Sequence, residues 1–315
     1  ISVDAAQPEI YRSLRSGGSL NAVEQALFDL RAARQNHRNA VLQIGIEFVA
    51  MRDNLLELPR TVQWAARHGA SFVIVSHLLP YDRAMAEQTL FDANTDSAVE
   101  LFRTWKEKAR NKGCAIERYP EVYLKYEKTE EEHRIVALVE EMKNDAVSRG
   151  IFLHLDKLFS QGDARAREVE AIFDEARAVA LKQGIELHLP LAVPKSVRKC
   201  EFVEEGGAFI SQDGNVHPCY FLWHRYRCYI DGHEKHVRPQ VFGNLHEHDL
   251  VTIWNLPGFR SFRENVVSYD YPYCFNCSFA LCDYVQHEDF HQDCYVNTEP
   301  CGACLWCMGV FHCLR

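Results

Sequence analysis

Cys200-Glu-Phe-Val-Glu-Glu-Gly-Gly-Ala-Phe-Ile-Ser-Gln-Asp-Gly-Asn-Val-His-Pro-Cys219 is the stretch that decides how this chain reads. Thirteen residues separate Cys200 from Gly214, and four more separate Gly214 from Cys219. Asp213-Gly214 is a hairpin turn signal between short strands. Working outward, eleven of the twelve cysteines fall between Cys200 and Cys313, and only Cys114 precedes them. Two knots stand out: Cys274-Phe-Asn-Cys277 with Cys282, and Cys301-Gly-Ala-Cys304 with Cys307 and Cys313. Two-residue spacing lets neighbouring thiolates converge on one metal or one cluster. Disulfides, structural zinc and iron–sulfur clusters all use such thiols. Disulfides usually staple small secreted domains, whereas a long helix–strand segment with one cysteine comes first here. Paired knots suit tetrahedral zinc. Two iron–sulfur clusters need about eight thiolates, and eleven are at hand.

Composition narrows the partners. The 315 residues carry 35 Lys and Arg against 44 Asp and Glu, a net charge of −9. That balance argues against nucleic acid, which requires a basic face. No apolar run reaches the length of a membrane span. A cytoplasmic protein with neither membrane nor nucleic acid as partner is expected. The sequence opens within a strand, as a fragment or a processed product does. Hydrophobic residues make up 47% of the chain, enough for a core of ordinary size.

The first 190 residues alternate strand and helix. Ile1–Asp4 reads as the end of a strand. Val23, Ala26, Leu27, Leu30 and Ala33 share one face of a helix over 20–34, with Ser19 as its cap. Leu42, Ile44, Ile46 and Phe48 alternate with polar residues or glycine in a strand over 41–49. A helix over 56–68 stops at Gly69, and Phe72–His77 is the next strand, apolar enough for burial on both faces. The alternation continues: helix 97–112, Gly113 and a strand near 114–125; helix 130–149, Gly150 and a strand 151–156; helix 163–183, Gly184 and a strand 185–189. Right-handed crossovers and a largely parallel sheet or barrel follow. Pro190 to Lys199 reads as a linker, after which helical periodicity fades.

The cysteine-rich segment resembles a SPASM domain, the iron–sulfur extension found after the barrel of certain radical S-adenosylmethionine (SAM) enzymes. The resemblance rests on the Cys200–Gly214–Cys219 spacing, Phe242-Gly-Asn244, Ile253-Trp-Asn255, the Cys274/Cys277/Cys282 knot, Cys294 and the Cys301/Cys304 knot. Cys301-Gly-Ala-Cys304-Leu-Trp306 is most similar to a maturase-like subgroup, linked to modification of tungsten-containing aldehyde oxidoreductases or their cofactor. The resemblance implies two auxiliary [4Fe–4S] clusters. Cys200 and Cys219 would serve the first, and Cys274, Cys277 and Cys282 the second. Cys294, Cys301, Cys304 and Cys313 compete to complete both. Cys228 and Cys307 have no place in that pattern, and Cys114 reads as a small core residue.

Upstream, Ser2-Val-Asp4, Pro8-Glu-Ile-Tyr11 and Arg15 resemble the fourth strand of the radical SAM partial barrel and the loop after it. Residues 41–54 and 71–80 would be the fifth and sixth strands. The resemblance gives Ser2 and Arg15 to SAM, and an arginine fork suits a carboxylate. It implies a partial (β/α)6 barrel over 1–82, an α/β extension and linker over 83–195, and a small loop-rich SPASM domain over 196–315. The Cys-x3-Cys-x2-Cys triplet that holds the catalytic cluster in that family does not occur in this sequence, so the chain is expected to start at the fourth strand. The implied activity is that of a maturase acting through a 5′-deoxyadenosyl radical. Its substrate would be a peptide, a protein or a protein-bound cofactor, and ferredoxin or flavodoxin would supply electrons. The rival class is a non-catalytic iron–sulfur or zinc module for electron transfer or protein recognition.

Overall fold

A computed structural model describes residues 1–37, 41–160, 164–230, 232–275, 277 and 289–312. The chain divides into two compact units. The first takes in the described parts of Ile1–Phe91, Ala166–Ala192 and Gly309–Arg315; the second those of Asp92–Arg165 and Val193–Met308.

The first unit is built on a parallel sheet of β1 (Gly45–Ala50), β2 (Phe72–His77) and β3 (Glu186–His188), in the order β1-β2-β3. Ser2 adds a parallel bridge to Glu47, so Ile1–Asp4 extends the sheet beyond β1. The pairing sets Ile46 beside Val73 and Phe48 beside Val75, all four buried. Ile46, Phe48 and Ala50 lie at alternate positions of β1, and a period of two puts them on one face. The helix Leu20–Asn36 starts where Ser19 accepts the Ala22 N–H, and Leu58–Arg67 follows a 3-10 turn and closes before Gly69 at φ +82°. The strand expected from residue 41 begins four residues later, at Gly45.

The second unit begins with helices. Asp96–Asn111, Glu130–Ser148 and Leu155–Ser160 pack with a short turn at Ile116–Arg118 and a helical turn at Tyr119–Tyr123 around Phe102, Trp105, Ile135 and Met142. Thr129 and Glu132 form a reciprocal capping box at the start of the longest of these, which satisfies two otherwise orphaned N–H groups.

Two expected strands are therefore corrected. Residues 114–125 are helical because Ile116, Tyr119 and Val122 recur every third residue, and Pro120 sits in the first turn of its helix, where a missing N–H costs nothing. Residues 151–154 are extended but unpaired, and 155–160 form a helix. Ile151, Leu153 and Leu155 alternate, yet they pack onto the helical cluster rather than beside a strand.

The remainder of this unit carries short strands: β4 (Phe209–Ile210), β5 (Asn215–His217), β6 (Tyr226–Ile230), β7 (His233–Val237) and β8 (Gly243–Asn244). β4 and β5 pair antiparallel across Asp213-Gly214, β8 pairs with β5, and β6 and β7 form a hairpin. Asn244 donates to the Asp213 carbonyl (2.9 Å) and to Asn215 Oδ1 (2.9 Å), holding that turn shut. A Cβ on Gly243 would meet Ile253 at 2.9 Å, so the Gly-Asn and Ile-Trp segments need each other. Phe242 stacks on Phe259 at 4.3 Å, and Arg263 lies 3.9 Å over Trp254. No helix among the described residues is long and apolar enough to cross a membrane.

Candidate metal centre

Cys200, Cys219, Cys301, Cys304 and Cys307 line one pocket in the second unit. Val203, Phe221, Phe262, Val266, Tyr269 and Tyr271 complete most of its wall, and Arg198 is its one cation among the described residues. None of the five thiols is in a disulfide.

Local structure explains their convergence. Cys200 caps the short helix Glu201–Glu204 without a side-chain hydrogen bond to it, and the nearby Val203 and Phe202 N–H groups favour its thiolate. Cys219 caps the 3-10 turn Tyr220–Leu222 in the same way, with the Leu222 and Phe221 N–H groups favouring its thiolate. Cys301 lies in the turn Pro300–Ala303, and Cys304 ends it, accepting from the Trp306 and Cys307 N–H groups. Each of these three capping or turn-ending sulfurs thus meets backbone donors, which favour a negatively charged ligand atom.

The four sulfurs of Cys200, Cys219, Cys301 and Cys304 also feel one another. Cys304 is the neighbour that acts on each of the other three. Burial, reinforced by Cys304, pushes the Cys200 thiol up to about 11. The Cys219 and Cys301 thiols are raised by the same causes in the same order. Cys304 moves the other way, first through its pairing with the Cys307 side chain, and Cys307 is raised by the same pairing; the Cys307 thiol itself donates to the Cys304 carbonyl (3.2 Å).

Arg198 is 7% exposed. Its Nη1 donates to the Tyr271 carbonyl (2.5 Å), and its Nη2 to those of Pro272 (2.8 Å) and Gly302 (3.5 Å). Its Nε has no partner, and no carboxylate among the described residues pairs with it. A buried cation without an anion is strongly unfavourable. A group of net negative charge held by the thiolates beside it would supply that anion. The Tyr271 hydroxyl likewise lacks an oxygen or nitrogen partner and is turned to the Cys301 sulfur.

The donor set also bears on the kind of metal. Among the described residues no three His, Cys, Asp or Glu side chains stand close enough to share one ion. Tetrahedral zinc at about 2.3 Å from each sulfur needs sulfurs about 3.8 Å apart. A cubane asks each thiolate to bind its own iron, so its sulfurs spread wider around a larger void. An apolar cavity ringed by thiols fits the cluster.

The other expected ligands fall elsewhere. Cys274 is buried, donates its N–H to the Gly302 carbonyl (3.1 Å) and accepts from Lys235 Nζ at its own carbonyl. Cys277 is half-buried and Cys294 exposed, and none of these three lines the cavity. Cys282 and Cys313 lie outside the described residues. Cys307, which the spacing pattern leaves without a role, is at the cavity, and its only sequence signal is a third two-residue step after Cys304. Arg198 had no signal at all within its linker. Cys228 is buried opposite Lys235, with its thiol pushed up to about 12 by burial. Cys114 is a core residue of the helical cluster, as expected.

In the first unit, Ser2 Oγ donates to Glu47 Oε2 (3.3 Å), and Arg15 Nε donates to Asp4 Oδ2 (2.6 Å). Asp4 Oδ1 accepts the Val49 N–H (2.9 Å), and Asn54 Nδ2 ties the carbonyls of Asp4 and Val49 (3.0 and 2.9 Å). The residues matched to the SAM site thus sit on an ordered polar network at the edge of the sheet.

Residues 200–278 match the SPASM family, described as an iron–sulfur cluster-binding domain. That stretch of the second unit is thus similar to a SPASM domain. Among its relatives is the tungsten-containing aldehyde ferredoxin oxidoreductase cofactor-modifying protein of Pyrococcus furiosus, 40% identical over 131 residues. That match covers 41% of this chain and 36% of the relative, so the chain spans little more than a third of the protein it resembles. No solved structure matches the chain.

Proposed function

We propose that Cys200, Cys219, Cys301 and Cys304 hold a [4Fe–4S] cluster and that the chain is part of a radical SAM maturase. The observation that carries the first part is the ring of thiols around an apolar pocket whose one cation among the described residues is buried and has no carboxylate partner among them. The family match to an iron–sulfur domain supports it independently. The second part is supported by the relative, whose name describes a cofactor-modifying protein.

Such a cluster, when bound, supplies one-electron transfer. The chain's residues set the conditions. Phe221, Phe262, Val266 and Tyr271 exclude water, and exclusion strengthens every charge interaction inside. Backbone N–H groups at 202, 203, 221, 222, 306 and 307 stabilise the thiolates. Cys307 serves as a donor to the Cys304 carbonyl rather than as a ligand. A second cluster falls to Cys274 and Cys277, with Cys282, Cys294 and Cys313 as the remaining candidates.

In the first unit, Ile1–Asp4, β1 and β2 correspond to the fourth to sixth strands of a partial barrel. Arg15 has given its Nε to Asp4, leaving its two Nη groups for the carboxylate of SAM, with Ser2 beside them. The substrate is a peptide, a protein or a protein-bound cofactor, and a ferredoxin or flavodoxin delivers the electron.

The test uses the whole protein, purified anaerobically and reduced with dithionite. Conversion of SAM to 5′-deoxyadenosine is expected. Unchanged SAM from protein holding its full iron and sulfide removes the maturase reading and leaves the cluster reading standing.

A further inference from the structure

We infer that Arg198 sets the reduction potential of the group held by the cavity thiolates, acting as a fixed positive charge. The inference rests on the cluster reading above. Its basis is the arginine's own environment. The guanidinium is held in place by three carbonyls, from Tyr271, Pro272 and Gly302, which are dipoles and carry no net charge. Tyr271 and Tyr273 flank it, with ring centroids 5.9 and 5.2 Å from the guanidinium carbon. No carboxylate answers it among the described residues, so its charge is neutralised only by what the cavity holds.

Arg198 acts directly on the sulfurs of Cys304 and Cys307. Both its position and its burial place the charge where solvent screens it least. The same loop fixes both partners: Lys199 N–H donates to the Cys307 carbonyl (2.8 Å), and Gly302, between two cavity cysteines, accepts from Arg198. The distance between charge and thiolates is therefore built in rather than left to a flexible side chain.

The electron balance is simple. A cluster with four thiolates gains one electron from the external reductant and becomes more negative by one charge, with no bond made or broken. A buried cation stabilises the more negative state, so reduction becomes easier and the potential rises; net charge near a cluster is among the levers that set it. Arg198 is thus a positioning residue, which touches neither substrate nor the transferred atoms.

The experiment compares wild type, Arg198→Gln and Arg198→Lys as anaerobically loaded full chains. Iron and acid-labile sulfide are determined first, then midpoint potentials by electron paramagnetic resonance. The midpoint absent from a Cys219→Ser variant identifies the cavity cluster. Arg198→Gln is expected to disfavour reduction at least tenfold, about 59 mV lower for a one-electron couple, with Arg198→Lys close to wild type. Failure of Arg198→Gln to load while Arg198→Lys loads in full also supports the assignment, since the two differ chiefly in charge. A fully loaded Arg198→Gln at the wild-type potential overturns it, as does loss of loading in both, which marks Arg198 as a frame residue only. Wild type without iron and sulfide removes the cluster reading itself, a separate outcome.

Discussion

Replacing His77 by glutamine should change how stability responds to acid. His77 ends β2 and is 2% exposed, between Phe91 and Phe173. Its Nε2 lies 3.0 Å from the Leu191 carbonyl. A carbonyl only accepts, so Nε2 carries the proton, and the buried Nδ1 has no partner. Charging the ring would put a proton on Nδ1 with nothing to receive it. Burial accordingly lowers its pKa from 6.5 to about 4, against the smaller upward pull of the Leu191 carbonyl. In the unfolded chain His77 takes its proton near 6.5; in the folded one it refuses until about 4. Its stabilising contribution is complete above pH 6.5 and is lost as the pH falls toward 4. The gap between 6.5 and about 4 is worth about 3 kcal/mol, at roughly 1.4 kcal/mol per pH unit. His77→Gln can still donate to Leu191 and does not titrate. Urea unfolding of both proteins at pH 7.5, 6.5, 5.5 and 5.0 gives the comparison, with every other titrating group cancelling. Below pH 6.5 the wild type should lose ground against the variant by roughly 1.4 kcal/mol per pH unit. Parallel curves across that range would show that His77 titrates normally in the folded state and would refute the argument.

Three further outcomes follow from the metal centre. Cys304→Ser should abolish iron retention at the cavity, because Cys304 is the sulfur that the other three share. Cys307→Ser should keep the iron, since a hydroxyl can still donate to the Cys304 carbonyl; equal losses in the two variants would contradict that division of roles. Gly302→Ala puts a Cβ 2.9 Å from the Pro272 carbonyl and 3.0 Å from Cys274 Sγ. It should cost about 1–3 kcal/mol and lower iron loading, read by denaturation and by metal analysis; wild-type values in both would show that the loop yields freely.

Much of the first unit was legible because its signals are local. The alternation in β1, the apolar run of β2, the Ser19 cap and the glycine after Arg67-His68 each specify an element without tertiary help. The two misread strands failed where local pattern and packing part company. Ile151, Leu153 and Leu155 have the period of a strand, but only a neighbouring strand makes one, and here the neighbours are helices. At the metal centre the spacing singled out nine cysteines, from two-residue gaps and a glycine turn written in the chain, and it left open which of them share a site; folding brings Cys200, Cys219, Cys301 and Cys304 to one pocket. Arg198 was not legible. A linker arginine becomes significant only when folding buries it against three carbonyls far along the sequence. Cys307 was hidden for a similar reason: whether a thiol faces a cavity or a core is settled by the turn that follows it.

The central claim is tested most directly by anomalous diffraction at the iron K edge from crystals of the anaerobically purified chain. The account predicts iron density enclosed by Cys200, Cys219, Cys301 and Cys304, with Arg198 beside it and the Cys307 thiol on the Cys304 carbonyl. A zinc signal in that cavity, or sulfurs bonded to one another there, would contradict it.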